Sequence, residues 1–280
     1  MKYGERGARS RISNWAGRLW RFLLGLMVVG GAPGCSTSPP PEDAGEWVVL
    51  IHGLGRTDLS MIRLEAELKE HGYGVVNVSY PSTQHSIEFL ATEELAPAIE
   101  KCCAGGGKKV HFVTHSMGGI VLRYYLAEHE MENLGRVVML SPPNQGSEVA
   151  DWVAENELLQ RVLGPSAEQL GTGPESVPNQ LGPADFELGI IAGNRTLNPL
   201  FSRMIPGADD GKVSVERAKV EGMNDFLVVP HSHTYIMMSD DVISQVAHFL
   251  ANGEFRHEAE SEPGADTAGG GENAPEPPSN

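Results

Sequence analysis

The stretch that most narrows what this chain can become is VHFVTHSMGG, residues 110–119. An apolar run over residues 110–114 passes without a loop into His115-Ser116-Met117-Gly118-Gly119, and a helix-compatible run follows over residues 120–129. A continuous apolar run of this kind suits a strand covered on both faces, as in a parallel sheet flanked by helices. A serine at so sharp a strand-to-helix corner sits on a crowded backbone with its hydroxyl above the sheet edge, so glycine is wanted two residues to either side. Gly118 fills the downstream place and Thr114 stands in the upstream one. Ser116 is therefore the candidate nucleophile, with an exposed serine on an ordinary turn as the plain alternative.

The remaining chain repeats the same rhythm. EWVVLI, residues 46–51, reads as a buried strand and runs straight into His52-Gly53-Leu54-Gly55-Arg56. Helix-start residues Asp58 and Ser60 follow, with Met61, Leu64 and Leu68 on one face and Gly72 as the stop. Further strands are expected over residues 75–80, 109–114, 136–141, 187–192 and 225–230. Helices are expected over residues 88–103, where Pro97 ends or kinks the run, and over residues 241–251, with Val242, Val246, Phe249 and Leu250 on one face. Gly105-Gly106-Gly107 is a loop. About six mainly parallel strands with helices on both faces, joined by right-handed crossovers, make one α/β domain over residues 46–251. Residues 147–186 form an insert. Its stretch 149–163 is amphipathic and reads as one helix, either a lid over the site or a plain peripheral helix.

The two ends differ from the body. Residues 1–34 carry six basic residues against one acid, then the apolar FLLGLMVV and small residues, which reads as a signal peptide. Its apolar run is well short of the ~20 residues that cross a bilayer. Ala32-Pro33-Gly34-Cys35 resembles a bacterial lipobox, although leucine is usual where Ala32 stands and proline is unusual in the next place. That resemblance implies lipidation of Cys35 and an exported, membrane-anchored envelope lipoprotein. An ordinary signal peptide with a periplasmic or secreted product, or an uncleaved anchor, is the alternative. Residues 35–45 are a Pro-rich linker, and residues 252–280 a disordered acidic tail. Cys102 and Cys103 are adjacent, without metal-ligand spacing, and three cysteines cannot make a disulfide framework. The formal net charge of −16 argues against a nucleic-acid partner, since phosphate binding needs clustered Lys and Arg.

A hydroxyl is a poor nucleophile at neutral pH and needs a histidine base, a carboxylate to orient it, and donors for the developing oxyanion. The chain supplies these in the order serine, acid, histidine. The turn Ala208-Asp209-Asp210-Gly211 offers Asp210, with Asp209 as its competitor, and His231-Ser232-His233 offers His233, with His231 as its competitor. The oxyanion donors are the backbone N–H groups of Met117 and Leu54, the latter on the loop opened by His52-Gly53. His52 braces that loop. No HExxH pair is present, so no metal and no cofactor is expected.

Strand-HGLGR, VTHSMGG, ADDGKVSVE and HSHT before the last helix together resemble the α/β-hydrolase superfamily, above all bacterial triacylglycerol-lipase-type esterases and related lipoprotein hydrolases. The resemblance covers residues 46–250 and departs from the pattern at Thr114. It implies a serine-dependent carboxylic ester hydrolase working through a Ser116-His233-Asp210 triad and an acyl-enzyme. The substrate would be a small-molecule or lipid ester, met at a membrane surface if the lipid anchor is real. An acyltransferase or thioesterase on envelope lipids, or a catalytically inactive acyl-binding protein, is the alternative.

Overall fold

The computed structural model describes residues 45–103, 108–197 and 199–257. The expected signal peptide, Cys35, nearly all of the linker, the glycine loop at 105–107, the side chains of Cys102 and Cys103 and most of the acidic tail lie outside the described residues.

Six apolar runs become six strands: β1 (Trp47–Ile51), β2 (Gly74–Val78), β3 (Val110–His115), β4 (Leu134–Leu140), β5 (Leu188–Gly193) and β6 (Asp225–Val229). They form one sheet in the order β2-β1-β3-β4-β5-β6, every pair parallel. Alternate residues of a strand face opposite ways, so each central strand feeds two cores. Val49, Ile51, Phe112, Met139 and Ile190 face α2 (Ala96–Cys103) and α3 (Met117–Glu128). Val48, Leu50, Val113, Leu140 and Ile191 face α1 (Ile62–Glu70) and, at the chain's other end, the helix Asp240–Asn252. This is the expected α/β-hydrolase architecture.

The winding places a site. After β1 the chain first adds β2 on one side and then crosses back to lay β3 on the other. The loops leaving β1 and β3 therefore part company, and a crevice opens at the carboxyl ends of those strands. Ile51 pairs with Thr114, Thr114 with Met139, and Leu140 with Ile191, so the strand ends are level and their loops share one rim.

Three expectations are revised. The insert does not carry one helix over 149–163 but two, α4 (Glu148–Ala154) and α5 (Glu157–Leu163), followed by the short α6 (Pro165–Glu168) and α7 (Val177–Gln180). The break falls at Asn156, whose Oδ1 accepts from the Leu158 and Leu159 amides at 3.2 and 3.3 Å and so caps a fresh helix. Ahead of Pro97 the helix runs in a π register over Leu90–Leu95, the wider turn coming just before a residue that has no N–H to return. The chain also stays packed beyond residue 252. Phe255 is buried against Phe249, ring centres 4.8 Å apart, and its amide donates to Asp225 Oδ2 at 2.7 Å.

Completing the chain order are α8 (Pro199–Ser202) and α9 (Val215–Ala218), between β5 and β6, and the final helix Asp240–Asn252, α10.

Candidate active site

Ser116 joins β3 to α3 with φ 54° and ψ −128°. A non-glycine residue held there stores strain, and its surroundings must enforce it. They do: the Ser116 amide donates to the Leu140 carbonyl at the end of β4 (2.9 Å), and Gly119 N–H returns to the Ser116 carbonyl (3.0 Å). A β-carbon on Gly118 would lie 2.6 Å from the carbonyl oxygens of both Ile51 and His52, so only glycine lets α3 begin this close to β1.

Thr114 in the upstream glycine place has a structural answer. A β-carbon on Gly119 would lie 3.1 Å from Thr114 Oγ1, 3.2 Å from Met139 Sδ and 3.3 Å from the Pro142 β-carbon. The bulk that Thr114 adds is thus taken up by the second glycine of the Gly118-Gly119 pair. Gly119→Ala is expected to lose about 1–3 kcal/mol by overpacking. Thr114→Ala in the same chain is expected to restore much of that loss, a coupling that a thermal-unfolding double-mutant cycle measures. Strict additivity of the two changes would refute the compensation.

Three side chains from three loops meet at the rim. His233 Nε2 lies 2.9 Å from Ser116 Oγ, and His233 Nδ1 lies 2.8 Å from Asp210 Oδ2. Asp210 and His233 are both buried. The second carboxylate oxygen, Asp210 Oδ1, accepts from the backbone N–H groups of Lys212 and Val213, each at 2.9 Å. The His233 amide donates to the Asp210 carbonyl at 3.0 Å, which latches the two loops together. Burial works against the charge on Asp210. The His233 ring, the Val213 amide and the Ser141 hydroxyl outweigh it, and hold the carboxyl below its ordinary range. Burial pushes the His233 imidazole below its ordinary pKa, against the pull of Asp210 and helped by the nearby cations Lys212 and Arg56. A neutral imidazole is the form that can take a proton.

The competing residues are turned elsewhere. Asp209 accepts from the Gly211 amide at 2.7 Å and from the Ser202 hydroxyl. His231 Nε2 points to Asp241 Oδ1 at 2.8 Å.

Met117 follows Ser116 at the first position of α3, and Leu54 follows Gly53 on the loop after β1, where a β-carbon on Gly53 would lie 2.9 Å from that of Ser116. Neither backbone N–H is engaged by another described residue. His52 braces the loop, as expected. Its Nδ1 lies 2.9 Å from the Gly53 carbonyl, and its ring stacks on Tyr80 at 4.1 Å. Tyr80 Oη donates to the His52 carbonyl. Burial pushes the His52 ring down to about pKa 4, so it stays neutral at ordinary pH. Among the described residues no group of three or more His, Cys, Asp or Glu side chains comes together as a metal-holding cluster.

The sequence reading missed two supports of the site. Ser141, at φ 47°, directly follows β4 and places its hydroxyl between the Gly193 amide (3.2 Å) and Asp210. Arg123 of α3 is buried, and its guanidinium donates to the carbonyls of Asn144, Pro178 and Gly182, which ties the insert to the nucleophile's helix. A lone arginine within the apolar face of a helix was the available signal for Arg123; nothing marked Ser141.

Residues 48–263 match the model of the alpha/beta hydrolase family. A triacylglycerol lipase of Burkholderia plantarii is 29% identical over 166 residues, covering 54% of this chain and 45% of that protein. A triacylglycerol lipase of Pseudarthrobacter phenanthrenivorans is 29% identical over 116 residues, covering 39% of this chain and 36% of that protein. The chain thus spans less than half the length of either lipase. Among solved structures, the mature Bacillus licheniformis lipase BlEst2 aligns with TM-score 0.63 at 20% identity, covering 79% of this chain and 99% of that one. A Pyrococcus furiosus esterase aligns with TM-score 0.53 at 19% identity, covering 75% and 82%. At these identities the structural likeness speaks to fold.

Proposed function

The chain belongs to the alpha/beta hydrolase family, and from that premise we propose that it is a serine-dependent carboxylic ester hydrolase. The observation that carries the reading is the unbroken chain of short contacts, Ser116 Oγ to His233 Nε2 at 2.9 Å and His233 Nδ1 to Asp210 Oδ2 at 2.8 Å.

Ser116 Oγ attacks the ester carbonyl carbon as His233 Nε2 takes the hydroxyl proton. The carbonyl oxygen gathers negative charge, and the Leu54 and Met117 N–H groups donate to it. When the tetrahedral species collapses, the carbon–oxygen bond to the alcohol breaks and His233 returns the proton to that alcohol. Water then attacks the acyl-enzyme, with His233 taking its proton and passing it back to Ser116 Oγ as the acid leaves. Asp210 holds the Nδ1–H tautomer and stabilises the imidazolium that forms in both halves.

Exposed apolar side chains on the insert and on the segment before the acid's loop support an ester with an apolar acyl chain. Leu158 and Val162 of α5, and Leu197 and Leu200 beside the acid's loop, are all more than half exposed. The two triacylglycerol lipases among its relatives support the same substrate class. A panel of p-nitrophenyl esters with acyl chains from short to long tests the reading. Turnover that varies with chain length is expected. A folded protein that releases nitrophenol from none of them refutes the proposal.

A further inference from the structure

His115 is the last residue of β3, directly before Ser116, and is 1% exposed. The proton path from Ser116 to Asp210 does not use it. Its Nε2 lies 3.0 Å from the backbone carbonyl oxygen of His233. A carbonyl oxygen only accepts, so Nε2 carries the proton and Nδ1 is bare. That Nδ1 is buried and has no hydrogen-bond partner among the described residues. Burial, followed by His233 and then the nearby cations Arg56 and Lys212, pushes the His115 ring well below its ordinary pKa, so it stays in this neutral form. An unpaired acceptor in a dry interior is a standing cost that an apolar side chain of similar size would avoid. Something the ring does must offset it.

The ring's surroundings name that role. Its centre is 4.8 Å from that of His233, tilted by 51°. A β-carbon on Gly53 would lie 2.9 Å from both His115 Nδ1 and the Ser116 β-carbon, so the loop carrying Leu54 rests on the same ring. The His233 peptide groups are held at both ends, the amide by the Asp210 carbonyl and the carbonyl by His115. We propose that His115 is a positioning residue: through its Nε2–H it fastens the His233 loop to the nucleophile's own strand, and so keeps His233 Nε2 within reach of Ser116 Oγ. This rests on the ester-hydrolase reading of Ser116.

The test compares two amides of different reach. The side-chain N–H of His115→Gln extends to where Nε2 sits, whereas that of His115→Asn stops near the Nδ1 position. With both variants shown folded by circular dichroism, His115→Asn is expected to lose roughly 10- to 100-fold in kcat with little change in KM, the cost of a misplaced reacting group. His115→Gln is expected to recover most of it. His115→Leu, which removes the donor outright, is expected to fall with the Asn variant. Folded Gln and Asn variants with equal kcat, or an Asn variant as fast as wild type, would overturn the proposal. Wild-type labelling by a fluorophosphonate probe is the control: if Ser116 in the unaltered protein does not label, the ester-hydrolase reading fails instead.

Discussion

Ser116→Ala is expected to lower p-nitrophenyl ester turnover by about 10⁴- to 10⁶-fold and to abolish fluorophosphonate labelling. The size of the effect follows from the hydroxyl's isolation. Among the described residues its one hydrogen-bond partner is His233 Nε2, so no other described contact depends on Oγ. The contacts that fix the corner, Ser116 N to the Leu140 carbonyl and Gly119 N to the Ser116 carbonyl, belong to the backbone and survive the change. The close approach of Gly118 to β1 survives too. The variant should therefore unfold thermally close to wild type and still bind substrate. On the proposed mechanism the remaining rate is what the Leu54 and Met117 N–H groups and simple binding would contribute. Turnover in the wild-type range by the purified alanine variant would remove the nucleophile from the mechanism, whatever the geometry around it.

How much of this was legible in the sequence depends on how local each feature is. The central strands were legible because a run such as Val48–Ile51, with both faces covered, has no polar alternation to confuse it. Ser116, Asp210 and His233 could be nominated because each lies on a segment that follows a strand, Ser116 directly after β3, His233 a short way beyond β6, and Asp210 only after β5 and α8 have passed. The choice of Asp210 over Asp209 was not fixed by pattern. It is set by Val213 and Lys212 turning their amides onto Asp210 Oδ1 while Gly211 and Ser202 take Asp209. The split of the insert at Asn156 is a capping event that a hydrophobic count passes over. His115 was read as part of the elbow only. Its partner lies 118 residues away, and no spacing rule reaches across that distance.

Asp210→Asn is expected to cost about 10⁴ in kcat, because the surroundings dictate which way the amide must face. Two backbone N–H groups, those of Lys212 and Val213, point at Oδ1. An NH₂ group there would set donor against donor, so the asparagine oxygen takes that place and its NH₂ turns to His233 Nδ1. Nδ1 must then accept, the ring proton moves to Nε2, and Nε2–H faces Ser116 Oγ as a donor. A base in that tautomer cannot take the serine's proton. The pH dependence carries a matching sign. In wild type burial outweighs the pull of Asp210 and holds the His233 imidazole below its ordinary pKa, so kcat/KM is expected to fall as pH drops through that lowered folded pKa and to be level above it. Removing the carboxylate removes what favoured the imidazolium, so the acid limb of the small remaining activity moves to still lower pH. Asp209→Asn is the internal control, since its carboxylate faces Ser202 and Gly211 and not the imidazole. It should change kcat by only a few-fold, about 1 kcal/mol or less. A pH–rate series on both variants decides the assignment: the larger loss in the Asp209 variant, or an acid limb that shifts upward in the Asp210 variant, would reverse it.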